Sequence, residues 1–231
     1  MDKEIDGILQ RLRALGTEKR RAQHERFGVS GVRAFGVTVP DIKRLAKELG
    51  RDHQRALRLW RTGRHEARLL AILTAAPGEM TAGELESWAG DFDAWDVVDT
   101  ACGQLIDRTP LARPKLREWL EREEEYVRRA AYVLMAALAV HDKQAPDEEF
   151  LEDLELIEAA PPDPRNFVKK AVDWAVRQIG KRNPALNAAA RRTAVKLAGD
   201  EDRTRRWIGR RSLKELESEA VMERLRRKAE R

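Results

Sequence analysis

Trp95 and Asp99 stand four residues apart in the segment Phe92-Asp93-Ala94-Trp95-Asp96-Val97-Val98-Asp99. On a helix this spacing puts an indole and a carboxylate on one face, one turn from each other. Val97, Val98, Ala101 and Cys102 surround Asp99 in sequence, and a carboxylate among apolar neighbours needs a partner. Such an acid either stabilises developing positive charge in a reaction or forms one end of an internal salt bridge. Spacing leaves both roles open. Asp96 falls on another face within the first turn, where the helix dipole favours a carboxylate, and reads as a first-turn acid.

A second constellation lies downstream. Lys170, Trp174, Arg177 and Lys181 fall at i, i+4, i+7 and i+11, a single stripe down one helix. Phe167, Ala171, Ala175 and Ile179 form an adjacent apolar stripe that is expected to face the core. An aromatic among cations suits a nucleic-acid backbone, with the indole against sugar or base. The same pattern also describes a part-buried tryptophan covered by lysine and arginine stems. Between the two constellations, Arg128 and Arg129 open a very apolar helix, and either one is suited to pair with Asp99 or reach a phosphate. Trp60, Trp88, Trp119 and Trp207 sit at helical apolar positions and are expected in the core.

Other chemistries lack their residues. His24, His53, His65 and His141 are scattered without metal-ligand spacing. The lone Cys102 excludes an intramolecular disulfide and reads as a buried thiol. No glycine-rich phosphate loop follows a strand, and no Ser/His/Asp arrangement is evident. The expectation is a site without metal or cofactor.

The elements that must hold these residues read as helices throughout. Ile5, Ile8, Leu9, Leu12 and Leu15 give the first its apolar face. Pro40 opens another that closes at Gly50, with proline in the first turn and glycine just past the end. Further helices are expected near 52–61, 65–75, 81–92, 95–108, 113–122, 125–140, 147–159, 166–182, 185–198, 201–210 and 212–230. Phe27 to Val39, with three glycines, reads as a loop, and 160–165 as a proline-rich connector. No alternating run suggests a strand. The expectation is all-α, one domain over 1–231, with helix pairs recurring every 30–40 residues as in a HEAT-like solenoid.

Charge adds a direction. The chain of 231 residues carries 45 Lys and Arg against 40 Asp and Glu, net +5, and 37% of it is charged. From Gln144 to Arg165 acids dominate, whereas from Asn166 to Arg192 the balance reverses. This segregation suits one face turned toward an anionic partner, although charged helices also solvate their outer faces in this way. No apolar run is long enough for a bilayer and no leader is evident, so a cytoplasmic, membrane-free protein is expected.

Three segments together resemble a known family. They are Phe35-Gly36-Val37-Thr38-Val39-Pro40, then Ala94-Trp95-Asp96-Val97-Val98-Asp99, and Phe167-Val168-Lys169-Lys170-Ala171-Val172-Asp173-Trp174-Ala175-Val176-Arg177, with Arg128-Arg129-Ala130-Ala131 between the last two. In order and separation, over about residues 20–215, the chain resembles the AlkD-like DNA alkylation repair proteins, which are HEAT-like-repeat glycosylases. The resemblance implies a solenoid with a concave basic face for duplex DNA bearing alkylated purines, acting as a monomer. It makes Asp99 the catalytic aspartate, Trp95 and Trp174 the cleft tryptophans, and Arg129 the support of that aspartate and the DNA backbone. It further implies DNA contacts from Phe27, Lys43, Arg128, Lys170, Arg177, Lys181 and Arg182. Family members hydrolyse the N-glycosidic bond of cationic N3- and N7-alkylpurines without flipping the base, unlike other glycosylases. Two positions depart from the family: Ala94, where an aromatic is frequent, and Phe27, where a tyrosine is usual. The alternative is a non-catalytic HEAT-like protein that binds DNA structure.

Overall fold

The computed structural model describes residues 2–26 and 33–229. Phe27 therefore lies outside the described residues. Among the described residues there is no strand, and the chain is all-helical. It divides into two compact units, Met1–Leu111 and Ala112–Arg231.

The first unit contains α1 (Lys3–Leu15), α2 (Glu18–Arg26), α3 (Val39–Leu49), α4 (His53–Arg61), α5 (His65–Thr74), α6 (Ala82–Gly90) and α7 (Trp95–Gln104). The expected boundaries of α3 have local causes. The Thr38 hydroxyl accepts from the Asp41 amide, Pro40 sits in the first turn, and Gly50 follows at φ 69°. Helix α7 is shorter than its apolar pattern suggests, since Leu105 leaves helical geometry and a 3-10 turn covers Ile106–Arg108. The Thr109 hydroxyl donates to the Ile106 carbonyl there, just before Pro110 ends the segment.

Helix α5 is the axis of this unit and packs against α3, α4 and α7. Ala67, Leu69, Leu70, Ala71 and Ile72 are buried, and so are the ionisable His65, Glu66 and Arg68. Glu66 has no exposed surface. Its carboxylate accepts from the amides of Phe35, Gly36 and Val37 at 2.8, 2.6 and 3.1 Å. Three charge-assisted bonds thus offset the cost of burying the anion and fix the loop that enters α3. Gly36 is required in that loop: φ is 81°, and an added Cβ would stand 2.3 Å from the Thr17 carbonyl oxygen. Trp60 and Trp88 stack beside α5 with centroids 4.0 Å apart, and both are core residues.

The second unit contains α8 (Ala112–Leu120), α9 (Glu125–His141), α10 (Asp147–Ala159), α11 (Asn166–Gly180), α12 (Pro184–Ala198), α13 (Arg203–Leu216) and α14 (Glu219–Ala229). Helix α9 is buried almost continuously from Val127 to Ala139 and packs on α8 and α11. The expected break at residue 211 is displaced. Ile208, Ser212 and Leu216 bury at helical spacing straight through it, so α13 runs on to Leu216. The chain turns at Ser218, whose hydroxyl donates to the Glu215 carbonyl. Trp119 is fully buried as expected, but Trp207 is not a core residue. It lies part-exposed on α13, with Lys169 and Arg211 over its ring at 5.3 and 5.4 Å. No helix among the described residues is long and apolar enough to cross a membrane.

Removing the Glu66 carboxylate strands three amide donors in a buried setting. Glu66→Ala should cost about 3 kcal/mol or more. Urea unfolding should show this as a lower midpoint, whereas Glu48→Ala, on an exposed ion pair with Arg11, should shift it by less than about 1 kcal/mol.

Candidate nucleic-acid interface

Helix α7 buries one face and leaves another part-open. Val97, Val98, Ala101 and Cys102 are buried, while Trp95, Asp96, Asp99, Thr100, Gly103 and Gln104 are half-buried. Trp95 and Asp99 thus share a face that is neither core nor fully solvated, one turn apart as their spacing requires. The Cys102 thiol is in the core. Farther along α7, Gln104 lines a cavity of about 400 Å³ together with Lys43 and Lys47 of α3, Arg51 and Leu73. The cations Lys43 and Lys47 therefore meet the end of the helix that carries Asp99.

The start of α7 is held from α5. His65 is buried, and its Nε2 lies 3.0 Å from the Asp96 carboxylate. Asp96 also accepts from the Val97 amide at 3.0 Å, so its first-turn position serves both the helix and the histidine. Arg68 donates to the Asp91 carbonyl at 2.8 Å and lies 3.2 Å from the Asp93 carboxylate. Its guanidinium also covers the Trp60 ring, whose Nε1 donates to Asp91. Residues 91–96 are therefore fastened at several points just ahead of Trp95. Ala94 is buried at the helix entrance and supplies no side-chain cap.

In the second unit α11 presents two edges. Val168, Ala171, Ala175 and Ile179 are buried, and Phe167 packs obliquely on Tyr126, so the expected apolar stripe faces inward. Lys170 is exposed and Trp174 half-buried, and the Trp174 Nε1 can donate to the Gln178 side-chain oxygen at 2.9 Å when that amide is turned to face it. Arg177 and Lys181 lie at the seam with α13. Arg177 pairs with the buried Asp173 and with Glu215, and Lys181 with the other oxygen of Glu215 at 2.6 Å. These pairs hold Glu215 below its usual carboxylate range, although its partial burial pushes the other way. Arg211 and Ser212 complete the shell around Asp173.

Neighbouring arginines at 128 and 129 take different directions. Arg129 is 5% exposed and donates to the Phe167 carbonyl at 2.6 Å, joining α9 to the first turn of the Trp174 helix. Arg128 pairs with Asp163 in the proline-rich connector at 3.0 Å. Arg182 donates to the carbonyls of Ala139 and Ala145 and lies over the Phe150 ring. Within their units, then, Trp95 and Asp99 stand together, and Arg129 reaches the Trp174 helix. Sequence reasoning missed the cation-flanked Trp207. Its signal was the run Arg203-Thr204-Arg205-Arg206-Trp207, too rich in arginine for a core position. Among the described residues no group of His, Cys, Asp and Glu is placed to hold a metal ion.

A family model described as DNA alkylation repair enzyme matches residues 8–216. One solved structure matches with a TM-score of 0.81 at 18% identity, covering 96% of this chain and 95% of that one. It is described as a new family of proteins related to the HEAT-like repeat DNA glycosylases with affinity for branched DNA structures. At this identity the likeness shows the fold, a HEAT-like helical repeat. No curated protein matches the chain.

The His65–Asp96 pair has a pH signature. Burial disfavours a charged His65, but the bond and charge of Asp96, with Glu66 and Asp93 beyond, outweigh it and raise the pKa above 6.5. A raised histidine stabilises the fold below the unfolded value and loses that contribution as pH rises through the folded one. Unfolding midpoints of the wild type should therefore fall relative to those of His65→Gln as pH rises above about 6.5. Parallel pH profiles for the two proteins would contradict this assignment.

Proposed function

We propose, from the premise that this chain belongs to the DNA alkylation repair enzyme family, that it is a DNA glycosylase releasing cationic N3- and N7-alkylated purines from duplex DNA. The observation that carries the reading is the shared, part-open face of Trp95 and Asp99 on a helix fastened at its start.

The chemistry suits these residues. An N3- or N7-alkylpurine already carries positive charge, so it leaves with the electrons of the N-glycosidic bond and needs no general acid. The deoxyribose gains oxocarbenium character as the bond to C1′ breaks. A carboxylate at Asp99 and the indole face of Trp95 stabilise that charge, and the Trp174 indole, in the second unit, offers DNA a further aromatic surface. Water then attacks C1′ and gives its proton to Asp99, leaving an abasic sugar and a neutral base. Arg129 supports the Trp174 helix from beneath. Lys43 and Lys170 are exposed and suited to direct phosphate contact. Arg177 and Lys181 extend the stripe. Arg128 and Arg182 steady the surrounding backbone, and Phe27 supplies an aromatic without the hydroxyl usual there.

A second reading has its own support. The solved structure with the same fold is described by affinity for branched DNA, and Ala94 gives this chain a small buried residue before Trp95. On that reading the protein binds DNA structure and excises nothing.

Duplex DNA treated with a methylating agent separates the two. Chromatography of the released bases should detect 3-methyladenine or 7-methylguanine, and Asp99→Asn should slow release by about 10²–10⁴-fold. Trp95→Ala or Trp174→Ala should cost about 2- to 30-fold, the scale of a cation–π contact. No release from wild type, together with tighter binding to a four-way junction than to linear duplex, would replace the first reading with the second.

A further inference from the structure

A cavity of about 560 Å³ in the second unit opens between the ends of α9 and α11 and the starts of α10 and α12. Lys143, Lys181, Arg182, Arg224 and Lys228 line it, and Asp147 is its one acidic lining residue. We propose that this pocket binds a phosphate group, as a phosphodiester of DNA or as a free phosphate.

Three features make the pocket receptive to an anion. First, the carbonyls at the helix ends beside it, which would repel an anion, are taken. Lys228 donates to the carbonyls of Lys181 and Arg182 at 3.1 and 2.9 Å. Arg182 holds those of Ala139 and Ala145, and Lys143 holds that of Val140. The negative ends of α9 and α11 are thereby screened. Second, Asp147 is occupied. Both of its oxygens accept from the Asn183 amide at 2.9 Å, and Arg182 lies 4.0 Å away. Third, Lys143 and Arg224 are exposed on the rim, where they can close on an oxyanion. The crowding of cations is felt within the pocket: burial, and then Arg224, Lys143 and Arg182, push the Lys228 pKa down. A bound phosphate group relieves that repulsion.

The lining residues all belong to the second unit, and the proposal does not depend on excision. Lys181 belongs both to the α11 stripe and to the pocket lining, so a DNA strand following the stripe would meet the pocket at the end of α11. Anion capture by clustered cations is a sequence-independent interaction and is weakened by salt.

The test uses the full chain and Lys143→Ala/Arg224→Ala, two exposed positions outside the proposed catalytic set, with Lys143→Arg/Arg224→Lys as the charge-conserving control. Two titrations are compared. In the first, millimolar inorganic phosphate should raise the melting temperature of wild type and control above that in equal chloride, and this gain should vanish in the double alanine variant. In the second, fluorescence anisotropy on undamaged duplex across about 50–200 mM salt reads the number of phosphates neutralised. A flatter log–log slope in the double alanine variant, by about 1–2, assigns the pocket to DNA. A phosphate response lost with the slope unchanged assigns it to free phosphate. Identical behaviour of all three proteins in both titrations overturns the proposal. If wild type binds no duplex while the phosphate response is lost in the variant, the DNA reading above fails and this one stands.

Discussion

Burying an unpaired carboxylate costs several kilocalories per mole, so a helix that buries His65, Glu66 and Arg68 within four residues must bring partners to all three. Those partners shape the first unit. Glu66 recruits three consecutive amides of the loop before α3, His65 recruits Asp96, and Arg68 recruits the backbone of Asp91 and the carboxylate of Asp93. A single helix, α5, therefore fixes both the entry to α3 and the entry to α7. The Trp60–Trp88 stack fills the apolar space beside it, with Phe92 edge-on to Trp60. The Trp95–Asp99 face inherits its position from these buried charges.

Much of this fold is legible in sequence, for identifiable reasons. Helices such as α3, α10 and α11 combine apolar periodicity with chemical boundaries, and their limits fall where those signals put them, except that α11 closes at Gly180 rather than 182. Helix α2 has nearly no apolar residue, so periodicity gives it no bounds. The break between α13 and α14 is misplaced because Arg210 and Arg211 interrupt the visible pattern while the buried spacing of Ile208, Ser212 and Leu216 continues. The inward role of His65 and Glu66 was also hidden. Charged residues at the start of an amphipathic pattern look solvent-facing unless the loop that receives them is known.

The site residues were legible in a different way. Four-residue spacing identifies the shared face of Trp95 and Asp99, because that depends only on helix geometry. The partners of Arg128 and Arg129 could not be read, since adjacent residues on a helix point about 100° apart and only the neighbouring helix decides which is buried. The answer comes from α11, whose first turn offers the Phe167 carbonyl to Arg129. Trp207 shows the opposite error: an aromatic at an apolar position is counted as core until the two cations over its ring are seen.

Glu215 has one further consequence. By pairing with both Arg177 and Lys181, it acts as a counterion attached to the protein. A mobile counterion displaced by a phosphate escapes to bulk and contributes entropy, and that release is what makes affinity steep in salt. A tethered carboxylate displaced from the same cations cannot leave. On the proposed DNA reading, contacts made by Arg177 and Lys181 would orient a strand while contributing little to its salt dependence. The measured slope would then count the untethered lysines, such as Lys170, and understate the number of cations touching the backbone.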